Sequence, residues 1–129
     1  MKKLLALTKI EDAAAASSIA RYYAITTVAC TTAAEVAALI GPYSAVIVPY
    51  TAQMLISEAV IDAAPQLELI ASTYGGARQN IADLYALSKG IAIIHTGASR
   101  ERPMAEYTLG LILSSLLRIH NYHHDMCSG

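Results

Sequence analysis

Short apolar runs recur along the chain at Leu4 to Thr8, Ala24 to Ala29, Ala45 to Val48, Leu67 to Ala71 and Ile91 to His95, each followed by a polar or helix-patterned stretch. Runs this short, apolar on both faces, belong to the strands of a parallel sheet covered on both sides. The intervening stretches carry helix signals. Thr32-Ala33-Ala34-Glu35 has capping-box spacing, Ser57-Glu58 opens a helix that stops before Pro65, and Asn80 is expected to cap a helix ending near Gly90. Strand and helix therefore alternate, and right-handed crossovers wind the five strands into a doubly wound α/β sandwich of order 2-1-3-4-5. In such a sheet a ligand sits outside the carboxyl ends of the strands. Four loops lie there: Thr8-Lys9, Pro49-Tyr50-Thr51, Tyr74-Gly75-Gly76 and Thr96 to Arg102.

A sixth element has a different pattern. From about Pro103 to about His120, apolar residues from Met104 and Tyr107 through Leu109, Ile112, Leu113, Leu116 and Leu117 cover almost the whole circumference of a helix. Pro103 suits its first position and Glu106 its first turn. That pattern belongs to a helix buried on all sides, which one small sheet cannot supply. The expected division is residues 1–102 as the α/β domain and 103–129 as a long helix with a frayed polar tail from His120.

Length and composition narrow the class. The 129 residues make one ordinary globular unit, large enough to close a core without disulfide or metal. Cys30 and Cys127 are therefore not read as a framework. A net charge of -1, with no like-charge block longer than Lys2-Lys3, leaves no electrostatic footprint for nucleic acid or an anionic membrane. The apolar run after Lys2-Lys3 stops at Thr8-Lys9, short of a secretory signal, and Leu109 to Leu117 falls short of a membrane span. A cytoplasmic protein with reduced thiols is expected. Ala is abundant, while Phe and Trp are absent.

The loops decide what chemistry is open to this fold. Thr8-Lys9-Ile10-Glu11-Asp12 presents carboxylates where a phosphate cradle needs hydroxyls and glycines, and no G-x-G-x-x-G or P-loop occurs. No nucleotide cofactor is expected to bind the chain unaided. Tyr74-Gly75-Gly76 lets backbone amides approach a small anion, which suits a carboxylate, although a plain tight turn also uses glycines. Arg100 and Arg102 oppose the dipole of the helix they precede, so they either grip an anion or pair with Glu101 and Glu106. His120, His123, His124 and Asp125 have helical metal-ligand spacing, but a solvated helix end explains them as well, and no metal is assigned. His95 reads as a satisfied core histidine and Cys30 as an inert buried thiol.

Taken in order, Leu67-Glu68-Leu69-Ile70, Tyr74-Gly75-Gly76, Asn80-Ile81, Lys89-Gly90-Ile91, Thr96-Gly97 and Ala105-Glu106-Tyr107-Thr108-Leu109 resemble the amino-terminal part of D-isomer-specific 2-hydroxyacid dehydrogenases. The resemblance spans about residues 44 to 119; residues 1 to 43 share only the strand-helix pattern. It implies a flavodoxin-like substrate-binding domain that works with a separate Rossmann domain carrying NAD. It also implies that Gly75 and Gly76 present their amides to the substrate carboxylate, and that the long helix packs at a twofold subunit interface. The family's catalytic arginine, glutamate and histidine lie beyond that helix, so no catalytic or cofactor-binding residue is expected among these 129.

The chain departs from the family at several points. The glycine loop carries one residue more, Gln79 stands for an aspartate, Pro49-Tyr50-Thr51 replaces an Arg-Ser, and Arg100-Glu101 replaces an Asn-Ser. The expected substrate-binding set is Tyr50, Tyr74, Gly75, Gly76 and Arg100, receiving a small 2-oxo or 2-hydroxy carboxylate. The expected partners are the cofactor domain and a second copy through residues 103–120, with no catalysis by the chain alone. A stand-alone module, natural or engineered, for oligomerisation or acid binding without redox chemistry is the alternative.

Overall fold

The computed structural model describes residues 1–129. Its elements run β1 (Lys2–Ala6), α1 (Ala13–Ala20), β2 (Tyr23–Thr27), α2 (Ala33–Ile40), β3 (Ala45–Val48) and α3 (Glu58–Asp62). Then follow β4 (Leu69–Ser72), α4 (Asp83–Ser88), β5 (Ala92–His95), α5 (Gly97–Leu116) and α6 (Ile119–Ser128). The chain divides into two compact units, Met1–Thr96 and Gly97–Gly129.

In the first unit the five strands form one all-parallel sheet of order β2-β1-β3-β4-β5, so the doubly wound order read from the alternation, and the flavodoxin-like fold the resemblance implies, are the observed ones. The register sets Leu5 beside Val46, Val46 beside Ile70 and Ile70 beside Ile93, which lays an apolar row across the sheet. On that face Leu5, Val46, Val48 and Ile70 pack with Val36 and Ile40 of α2, Val60 and Ile61 of α3, and Ala86 of α4. The opposite face is thinner. Leu4, Ala6 and Ala45 are buried there, with Ile19 of α1 packed against them only in part.

Cover on both faces was the expectation, and it holds only for the middle of the sheet. β2 and β5 are edge strands: Thr26, Thr27 and Ala92 are exposed, and Ile94 is 55% exposed. The alanine-rich α1 has no buried residue, because methyl side chains reach little of the sheet they face. His95, expected in the core, is exposed at the end of β5, an edge strand.

Local signals explain most helix starts. Thr32 caps α2 through the full capping box with Glu35, and Asp12 caps α1 by accepting from the amides of Ala14 and Ala15 at 2.8 and 3.1 Å. α3 follows Ser57 as expected. Asn80 does not cap α4, which starts at Asp83 after Ala82; it is buried instead and holds a neighbouring loop.

The second unit contains α5 and α6. α5 begins at Gly97 rather than Pro103, so Pro103 lies inside the helix, where it removes one backbone donor. It ends at Leu116, because Arg118 takes a left-handed conformation with φ 51°. The tail beyond is helical as α6, not frayed. Neither helix has a buried residue. No helix is long and apolar enough to cross a membrane.

Candidate functional site

Parallel strands all end on one edge of the sheet, and there the loops after β3 and β4 lie side by side. The loop after β4 is tied down by side chains of its own stem. Thr73 donates its amide and hydroxyl to the Val48 carbonyl at 3.0 and 3.3 Å. The buried Ser72 hydroxyl accepts from the Tyr74 amide at 3.2 Å, and from the β5 side the Thr96 amide donates to the Tyr74 carbonyl at 3.2 Å. The stem is thus bonded to both neighbouring strands.

Beyond this stem come Gly75 and Gly76. No hydrogen bond within the protein uses the N–H of either residue. A Cβ placed on Gly76 would meet no atom within 4 Å, and its φ is not in the left-handed region. Glycine is therefore not needed here to relieve the backbone or to fit a neighbour. What it leaves is a stretch of bare main chain with its donors unspent, held on a stem that is fully bonded.

Beside it stands the loop after β3. The rings of Tyr50 and Tyr74 lie 4.2 Å apart between centroids with their planes at 32°, a close tilted contact. Both remain substantially exposed, Tyr50 at 51% and Tyr74 at 36%. Four of the five residues expected to bind substrate, Tyr50, Tyr74, Gly75 and Gly76, thus come together in the first unit. The fifth, Arg100, stands in the first turn of α5 in the second unit. Arg102 pairs with Glu106 at 2.7 Å, the local pairing open to it from its spacing.

The other carboxyl-end loops are committed to structure. Asp12 holds the first amides of α1, where a pyrophosphate would have to sit, so the residues present do not fit a dinucleotide. The Cys30 thiol is buried; burial, and after it the negative charge of Glu35, push its pKa up, which suits an unreactive thiol. On α6, Cys127 Sγ lies 3.8 Å from His123 Nε2, and no three His, Cys, Asp or Glu side chains gather as metal ligands. At the opposite edge of the sheet a shallow cleft of about 610 Å³ is lined by Lys2, Lys3, Pro42, Ser44, Gln66 and Glu68, where Lys2 and Glu68 pair with each other.

Sequence reasoning missed Asn80 as part of this edge. Its signal, an asparagine before an apolar residue and a helix, reads first as a cap, and only the fold shows its side chain turned to the loop after β3.

No protein-family model matches the sequence, and no curated protein does. Solved structures do match. The PH0520 protein of Pyrococcus horikoshii OT3 aligns over 100% of this chain and 38% of its own, with TM-score 0.85 and 24% identity. An NADPH-dependent glyoxylate/hydroxypyruvate reductase from Sinorhizobium meliloti, solved with citrate, aligns over 100% and 39% with TM-score 0.69 and 21% identity. D-lactate dehydrogenase from Aquifex aeolicus, solved with NAD and lactic acid, aligns over 97% and 38% with TM-score 0.61 and 21% identity. The chain therefore shares the fold of one part of these proteins and spans about two fifths of their length.

Proposed function

We propose that this chain is the substrate-binding part of an NAD-dependent D-2-hydroxyacid dehydrogenase. The observation that carries the reading is the glycine loop: two adjacent amides without internal acceptors, on a stem bonded to both neighbouring strands, with open space where a Cβ on Gly76 would stand. Backbone N–H groups fixed in this way bind a carboxylate because its oxygens replace water without the loop having to reorganise. Tyr50 and Tyr74 flank the amides and present both ring surface and hydroxyls to the rest of a small 2-oxo or 2-hydroxy acid.

Because the residues present do not fit a dinucleotide, hydride transfer and the acid-base group belong to parts of the protein outside these residues, and the 129-residue chain alone turns over nothing. The resemblance in motif order and the fold shared with a D-lactate dehydrogenase and a glyoxylate/hydroxypyruvate reductase support this assignment. The exposed apolar length of α5 supports a homodimer through residues 103–120. The charge of -1 and the reduced, unpaired cysteines suit a cytoplasmic enzyme that binds neither nucleic acid nor membrane.

Titration of the 15N-labelled chain with D-lactate tests the carboxylate site directly. The amide signals of Gly75 and Gly76 are expected to shift saturably, and Gly76→Val, which fills the open space, is expected to weaken the response about tenfold or more. Shifts that avoid these two amides, or an unchanged response in Gly76→Val, would reject the reading.

A further inference from the structure

The loops after β3 and β4 share an internal anchor, and it is an asparagine side chain. Asn80 is fully buried, and its Nδ2 faces three acceptors of the neighbouring loop: the Thr51 carbonyl, Thr51 Oγ1 at 2.8 Å and the Gln53 carbonyl at 3.0 Å. An amide nitrogen has two hydrogens, so three acceptors share two protons. Thr51 Oγ1 spends its own proton on the Gln53 carbonyl at 2.9 Å, which leaves that hydroxyl as an acceptor toward Asn80. The Asn80 backbone carbonyl in turn accepts from the amides of Leu55 and Ile56 at 3.1 and 2.9 Å. One residue thus bonds the loop after β3 at both of its ends.

The other end of the same side chain is unsatisfied. Oδ1 is buried and has no hydrogen-bond partner. A buried orphan acceptor costs stability, and a leucine of similar size would remove it, so packing does not account for an asparagine here. Its donors do. They hold Thr51, the residue after Tyr50, and the Tyr50 ring is the one stacked on Tyr74, next to Gly75 and Gly76.

We propose that Asn80 is a positioning residue, whose Nδ2 holds Thr51 so that the Tyr50 ring stands against Tyr74 at a fixed place beside the Gly75 and Gly76 amides. Its importance for binding rests on the reading of those amides as a carboxylate site. Its effect on the tyrosine pair does not.

The test uses Asn80→Asp, which keeps the shape and exchanges the donor for a carboxyl group. Ionised, that group faces three acceptors and repels them. Protonated, it donates one hydrogen bond. Burial and the facing carbonyls raise its pKa, so the defect should reverse within an accessible pH range. Ring-to-ring NOEs between Tyr50 and Tyr74, measured without ligand, are expected to be constant with pH in the wild type. In Asn80→Asp they are expected to be lost near about pH 8 and to return toward about pH 5. Thr51→Val, which removes one acceptor and leaves Asn80 in place, is expected to weaken them at every pH.

D-lactate affinity, read at the Gly75 and Gly76 amides, is expected to fall about tenfold in Asn80→Asp at the higher pH and to recover with the NOEs. If the wild type shows no D-lactate response, the carboxylate reading fails, and the positioning role is decided by the NOEs alone. NOEs of wild-type strength across the pH range in both variants would overturn the positioning role whatever D-lactate does. Should Asn80→Asp fail to fold, unchanged NOEs in Thr51→Val would overturn it equally.

Discussion

The two units of the chain treat apolar side chains in opposite ways. In the first, Leu5, Val46 and Ile70 are wholly buried. In the second, α5 is apolar around most of its circumference, yet Leu113 is 46% exposed and Leu116 75%. Hydrophobicity does not separate them; the availability of a second apolar surface does. Strand alternation sends Leu5 and its register partners to the face that α2, α3 and α4 cover with Val36, Ile40, Val60 and Ile61. The second unit pairs its apolar helix with α6, whose sequence Ile119-His120-Asn121-Tyr122-His123-His124-Asp125 offers few apolar contacts. One unit closes its own core, and the other leaves most of its apolar side chains exposed.

The strongest way to break this contrast is to remove one apolar residue from each side of it. Leu5→Ala leaves a cavity in a filled core and is expected to cost about 2–5 kcal/mol in urea unfolding. Leu113→Asp together with Leu117→Asp should leave the unfolding of the first unit unchanged, since neither residue is part of its core. The double change is instead expected to convert a sedimenting dimer to monomer at tens of micromolar, as the homodimer proposal requires. An unchanged sedimentation coefficient, or a wild-type monomer, would remove α5 as the association surface.

Much of the first unit was legible because its signals are local or periodic. The five strands, their order, the capping box at Thr32 and the placing of Tyr50, Tyr74, Gly75 and Gly76 on one edge all follow from apolar runs, cap spacing and crossover handedness. Solvent exposure was not legible for the edges, because the run from Ile91 to His95 reads the same whether it lies in the middle of a sheet or at its margin. Asn80 was misread because a cap and a buried loop clamp use the same residue type, and its partners, Thr51 and Gln53, are distant in sequence. The start of α5 was misplaced since Pro103 resembles a first-turn proline, while the helix tolerates it further in. The break at Arg118 gave no sign, as arginine rarely takes a positive φ.

That break sharpens the contrast between the units at a smaller scale. Arg118 separates α5 from α6 with φ 51° and ψ 36°, a conformation that its Cβ disfavours. Arg118→Gly removes the penalty and is expected to stabilise the bent arrangement by about 1 kcal/mol, while Arg118→Ala keeps it. Thermal unfolding followed by helical circular dichroism checks the difference. A lower midpoint in Arg118→Gly than in Arg118→Ala would show that the two helices prefer to run straight through residue 118.

The smallest expected effect concerns the cap of α2 in the first unit, and it is read as a dependence on pH. The Thr31 amide donates to Glu35 Oε2 at 2.8 Å, the Thr32 amide at 3.3 Å and the Thr31 hydroxyl at 3.4 Å. These donors favour the ionised carboxylate and hold its pKa below the ordinary glutamate value, the two amides most of all. A depressed native pKa means that the stabilisation is complete above the unfolded value of about 4.3 and is lost as pH falls through the lowered native one. Asp62 behaves in the same direction, through the Tyr85 hydroxyl at 2.8 Å and Lys89 at 3.4 Å, so acid weakens two surface points of the first unit. Glu35→Gln keeps an acceptor for the same amides but cannot titrate. The variant is therefore expected to be slightly less stable at neutral pH and to lose less on acidification, with a shallower slope between about pH 5 and pH 2.5. Equal slopes in the two proteins would mean that the Glu35 carboxylate contributes nothing to the fold beyond what its neutral isostere supplies.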